Sequence, residues 1–223
     1  MAPVNAADRW NLERDVPGAT AAHRRLDALL ADLTDDVTRR PSLLPDWTVG
    51  HVLTHIARNA DGHRNMLEAA NRGEVGAQYP GGLAQRGSDI DAGAARPAAE
   101  LIADVAASSA ALEAAWAAMT PNGWQGTGDT VRGPVEVADL PFRRWRETVV
   151  HHADLGLDDG WASWPADYVR IELGRMTMLW ASRRPMGMTG LPAQALAVPP
   201  HQRLAWLMGR ATIDGLGDAG LMV

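Results

Sequence analysis

At 223 residues the chain can bury one substantial core, or a principal domain with a small second one, so its fold requires neither disulfides nor a structural metal. A formal net charge of −6 and a pI near 5.6 argue against a protein that grips nucleic acid through a basic face. Cysteine is absent, which removes disulfides, CxxC metal knuckles and a protein thiol nucleophile together; any sulfur chemistry needs a thiol delivered as a cosubstrate. The N-terminus lacks a charged start followed by an apolar stretch, and no run approaches the ~18 apolar residues that span a bilayer. The expectation is a soluble cytoplasmic protein.

Residues 17–35 carry Ala21, Leu26, Leu29, Leu30 and Leu33 at helical spacing, and Arg40-Pro41 breaks the pattern. That predicts a first helix. After a turn-like segment, Asp46 and Thr48 offer N-cap oxygens to a second, long helix whose apolar positions include Val49, Val52, Leu53, Ile56, Ala60, Met66 and Leu67, reaching about Asn71. Residues 72–96, rich in Gly, Asp and Ala with little periodicity, read as a long connection, and connections of this length are commonly functional or disordered.

A third helix follows Pro97 and ends near Thr120-Pro121, with Leu101, Ile102, Val105, Leu112, Ala115 and Trp116 on its apolar face. Gly123, Gly126, Gly128 and Gly133 mark a turn-rich stretch with a short hairpin expected around residues 130–137, and a fourth helix spans 138–155 up to Gly156. Four helices with a long crossover suit a bundle whose site is built from facing helices. Domain boundaries are placed at 1–160 and 161–223. The second part is expected to contain a helix over 167–182, a Gly/Pro-broken segment over 185–200 with a strand over 195–198, and a last helix over 201–210: a small α/β appendage on a mainly α protein.

Glu147 and His151 lie four residues apart on the fourth helix, so both side chains share one face, one turn apart. His51 and His55 repeat that spacing on the second helix. A His-His-carboxylate set with an open position suits catalytic zinc and also serves iron or other divalent ions. Imidazoles among apolar neighbours such as Val52, Leu53 and Ile56 are costly to bury, and a metal offsets that cost. The same spacing equally describes surface ion pairs or satisfied core histidines. His152 is turned about 100° from His151 and is expected to be exposed or behind the site. His23, His63 and His201 read as surface residues, with His63 at the mouth of the site.

Residues 45–62, with Trp47, His51, His55 and Asn59 in order, resemble the N-terminal motif of the mycothiol-dependent maleylpyruvate isomerase family, within the DinB-like metalloenzymes. Residues 146–156, running Arg146-Glu147 to His151 and on to Asp154-Leu155-Gly156, resemble that family's second element. The resemblance implies a DinB-like four-helix bundle, with zinc or another divalent metal held by His55, Glu147 and His151, and His51 behind them. It also implies mycothiol as cofactor, its metal-bound thiolate adding reversibly to the cis double bond of maleylpyruvate or a similar keto acid.

Two further segments resemble family elements: Tyr79, Arg86, Ile90 and Gly93 in the long connection, and Gly209-Arg210 near the end. They make Arg86 and Arg210 the candidate catalytic and cofactor-binding arginines, as carboxylate clamps; the solvated surface arginine is the other reading of each. The C-terminal part is abbreviated between Ser182 and His201 relative to the family's sterol-carrier-like domain. The partners expected are a small thiol and a small acidic or electrophilic substrate, with no nucleic acid and no membrane, in a monomer or homodimer. Two alternatives share the residues: a mycothiol S-transferase acting on electrophiles, and a non-catalytic metal- or ligand-binding module dimerising through a tryptophan-rich surface.

Overall fold

In the computed structural model, which describes residues 11–221, helix α1 runs Leu12–Leu30, five residues upstream of the Pro17 start read from periodicity. Asn11 explains the shift. Its side chain accepts from the Arg14 amide at 3.0 Å while the Asp15 carboxylate takes the Asn11 N–H at 2.9 Å, so the first turn is capped from both ends and Pro17 is carried inside the helix. The helix stops at Leu30, and a short helix α2, Asp35–Thr38, follows where the first helix was expected to continue.

Helix α3 occupies Val49–Asn71, as periodicity predicts. Beyond it, strand β1 (Gly76–Ala77) and helix α4 (Gly82–Ala94) fill the segment read as an irregular connection. Helix α4 buries only Ile90 and Ala94, too few apolar positions to show a period, and it is defined by close approach to α3. A Cβ at Gly93 would sit 2.5 Å from the Thr54 methyl, so glycine is what lets the two backbones meet.

Helix α5 spans Ala98–Ala117, its first free N–H (Ala98) accepted by the Asp35 carboxylate of α2 at 2.7 Å. Strands β2 (Thr127–Thr130) and β3 (Gly133–Glu136) form the expected hairpin, slightly displaced, with Gly128 opposite Val135; β1 joins β2 in parallel. A 3-10 turn leads into α6, Leu140–Asp154.

Helices α1, α3, α5 and α6 form the four-helix bundle, α3 packing on α5 and α6, and α1 on α5 and α6. Leu26, Leu30, Leu53, Ile56, Leu101 and Val105 meet in its core, each fully buried aliphatic side chain contributing roughly 1.5–3 kcal/mol. Because α3 and α6 are neighbours, the second and fourth predicted helices turn their histidine-bearing faces toward one another.

The chain divides into two compact units between Leu157 and Asp158. The second holds α7 (Ala166–Ser182), α8 (Ala193–Ala197) and α9 (Pro200–Leu207), with α7 packed on α9 and the Trp180 and Trp206 rings 5.3 Å apart. The strand expected over 195–198 is instead the helix α8. Extended Pro192 and Pro199 bracket good helix formers, and no described strand of this unit offers an edge to pair with. No described helix is long and apolar enough to cross a membrane.

Trp116, Trp145, Trp164, Trp180 and Trp206 are buried, and no described tryptophan is among the large exposed apolar residues. Packing accounts for these five.

Candidate metal centre

His55 projects from the middle of α3, Glu147 and His151 from successive turns of α6. The structure brings the three together: His55 Nε2 lies 3.2 Å from Glu147 Oε2 and 3.1 Å from His151 Nε2, and His151 Nε2 lies 3.5 Å from Glu147 Oε2. These separations match the ~3.3 Å between donor atoms of a tetrahedral zinc with bonds of about 2.0–2.1 Å. Two imidazole nitrogens and a carboxylate aimed at one point are a donor set suited to a divalent cation. The side chains of His55, His151 and Glu147 are 6%, 15% and 31% exposed, so access is from the Glu147 side.

The outer contacts set the tautomers. Asp154, buried, accepts the Nδ1–H of His151 at 2.9 Å, which aims Nε2 at the common point. Arg86, from α4, donates through Nη2 to His55 Nδ1 at 3.1 Å. Guanidinium only donates, so the neutral His55 ring carries its proton on Nε2, toward Glu147. Trp47 covers the remaining side, its ring edge-on to His55 at 5.6 Å and 5.9 Å from the Arg86 guanidinium.

Burial pushes His55 down to about 4, reinforced by the charges of His151 and Arg86 and opposed by Glu147. For Glu147, burial raises the carboxyl, yet hydrogen bonds from His151 and His55 hold it well below the usual range. Burial also pulls His151 down, and the Asp154 and Glu147 carboxylates outweigh it and hold the ring at about 9. Without a cation, the triad at neutral pH is thus a neutral imidazole, a carboxylate and an imidazolium.

His51 has a different task. Its Nδ1 lies 3.2 Å from the Thr48 amide and 2.7 Å from the Thr48 hydroxyl, while the Thr48 side chain accepts the His51 amide, a reciprocal cap on α3. Arg210 belongs to the second unit, after α9, and donates to the Met208 carbonyl at 2.8 Å.

Three histidines read as surface or outer residues are buried: His23, His63 and His152. His23 serves a charge that sequence reasoning overlooked. Arg144, fully buried on α6, donates to His23 Nε2 (2.9 Å) on α1, the Ile56 carbonyl (2.8 Å) and Asn59 Oδ1 (3.0 Å) on α3, and Ser109 Oγ (3.3 Å) on α5. His23 in turn donates from Nδ1 to Glu113 at 2.8 Å. The available signal was positional: Arg144 lies one turn before Thr148 and three residues before Glu147, on the inward side of α6.

Burial pushes His23 to about 2 and His63 to about 3, with Arg144 adding to both, so with His55 three rings stay neutral when folded. Lowered histidine pKa values give stability that is present above the unfolded value of 6.5 and lost as pH falls through it. Each group then removes about 1.4 kcal/mol per pH unit until it protonates in the folded state. His151 has the opposite sign, its contribution complete below 6.5 and lost as pH rises through about 9. Denaturant titrations of metal-free protein should therefore place maximal stability near pH 7, with an acid limb about three times as steep as the alkaline limb.

Residues 19–156 match the family model described as Mycothiol maleylpyruvate isomerase N-terminal domain. Among solved structures, a crystal structure of the mycothiol-dependent maleylpyruvate isomerase superposes with a TM-score of 0.78 at 23% identity, covering 90% of each chain. A histidine-to-alanine variant of that enzyme matches with a TM-score of 0.77 at 22% identity and the same coverage. No curated protein matches.

Proposed function

Because the chain belongs to the mycothiol maleylpyruvate isomerase family, we propose that it is a zinc- and mycothiol-dependent cis–trans isomerase of maleylpyruvate or a similar unsaturated keto acid. The convergence of His55, Glu147 and His151 on one point with an open side carries this reading. A zinc ion held there would supply the Lewis acidity that keeps an incoming thiol as its thiolate, the nucleophile for reversible addition to a cis double bond.

The protein's own groups prepare that chemistry. Asp154 holds His151 in the ligating tautomer, and Trp47 shields His55 from water. With Nε2 given to a cation, the His55 ring would carry its proton on Nδ1 and could not accept from Arg86, which would leave the Arg86 guanidinium free to meet a carboxylate of the substrate and the negative charge that develops there.

His151 must surrender its proton to ligate, so zinc binding at pH 7 should release about one proton. The apparent affinity should rise up to about tenfold per pH unit and level off near pH 9, the position of the His151 pKa. Calorimetric titration in buffers of different ionisation enthalpy measures both.

The deciding assay supplies mycothiol well below the concentration of maleylpyruvate. Many turnovers per thiol with fumarylpyruvate as product support the isomerase. Thiol consumed in proportion to an electrophile would make the protein an S-transferase, and bound metal without thiol-dependent turnover would make it a binding module.

A further inference from the structure

Two buried polar atoms lie near the triad: Nδ1 of His63 has no hydrogen-bond partner among the described residues, and the Tyr79 hydroxyl has no close one, its hydrogen-bonding neighbour being the Arg86 guanidinium. Their side chains are 3% and 9% exposed. A buried polar atom left unpaired is destabilising, so something the chain does not itself supply should meet these two.

Their backbones come from one crossing. His63 lies two turns beyond His55 on the same face of α3, with Asn59 between them. The segment after β1 passes over α3 at Gly62, where a Cβ would sit 2.7 Å from Gln78 Cγ and 2.9 Å from Gln78 O. Only glycine lets it lie so close, and the next residue on each strand of this crossing is His63 or Tyr79. The Arg86 guanidinium bonds His55 Nδ1 and neighbours the Tyr79 hydroxyl, which places Tyr79 beside the triad, and both side chains lie within the fields of Glu147 and Arg144.

The chemistry of the three groups is that of an anion site. Burial pushes the Tyr79 phenol upward and His63 down to about 3, so the phenol keeps its proton and the imidazole is neutral with one N–H to give. Arg86 adds a positive charge, and the Glu147 carboxylate is already engaged by His55 and His151.

We propose that Tyr79 and His63, with Arg86, form a subsite for the carboxylate of the acidic substrate that lies farther from the metal centre. This rests on the reading that an acidic substrate binds beside the triad. The competing occupant is an ordered water, a common partner of buried polar groups.

The test is calorimetric binding of maleate, a dicarboxylate probe, to the zinc-loaded protein. Tyr79→Phe should weaken maleate about tenfold, the loss of one hydrogen bond to a charged group, with zinc content unchanged because His55, Glu147 and His151 are left in place. His63→Leu should weaken it similarly, and His63→Asn, which keeps an N–H near Nδ1, should restore most of the affinity. Unchanged maleate affinity in Tyr79→Phe would leave the two atoms to water and overturn the proposal, as would a wild-type protein that binds no maleate. If His63→Leu does not fold, Tyr79→Phe decides alone. Should maleate binding depend on Tyr79 while maleylpyruvate is not isomerised, the isomerase reading fails and the subsite stands.

Discussion

His55→Ala should leave the purified protein with less than about a tenth of the metal bound by the unaltered chain, because a three-ligand centre reduced to Glu147 and His151 loses both a bond and its preorganisation. The α6 pair alone sits on one helix, whereas His55 closes the site from α3. Elemental analysis after dialysis against a weak chelator measures this, and full retention of metal would overturn the ligand assignment. His51→Ala provides the contrast within the same motif. Its ring caps α3 through Thr48, so the metal should remain while stability falls by about 1 kcal/mol, a shift of roughly 2–4 °C.

The second large effect is expected away from the metal. Arg144→Met should cost about 3–5 kcal/mol, or roughly 6–20 °C in melting temperature, because the partners of the guanidinium stay behind unpaired. Those partners are His23, the Ile56 carbonyl, Asn59 and Ser109, from the other three helices of the bundle. Arg144→Lys should recover less than half of the loss, since a single ammonium cannot reproduce a planar fork that reaches three helices. Denaturant unfolding of the two variants measures the difference; a methionine variant as stable as the unaltered protein would show that the network contributes nothing net. The network also holds α6 against the backbone of α3 at Ile56, next to His55, so its loss should loosen the metal centre as well.

Much of the bundle was legible because its helices carry their own signals. Thr48 before Val49, followed by apolar positions on one face, predicts α3 at its observed bounds, and the four-residue spacings put His51 with His55, and Glu147 with His151, on single faces. Helix α4 was not legible. Its glycines and alanines carry no period, and it exists because small residues let it lie against α3. The strand expected over 195–198 failed for the converse reason: apolar residues of ambiguous preference became a helix where no strand edge stood beside them.

By itself, the sequence determined the long helices, the absence of a protein thiol and the residue types able to hold a cation, since caps, periodicity and composition are local properties. Spacing left open which histidine of the first motif meets Glu147, for the two share one face; the family resemblance pointed to His55, and the tertiary structure brings it to Glu147 while His51 caps its own helix. Only tertiary structure decided the setting of the buried arginine, whose partner His23 lies 121 residues away in the chain. Burial, and with it the protonation of His23, His55 and His63, is set by neighbours distant in sequence, so no reading of local pattern reaches it.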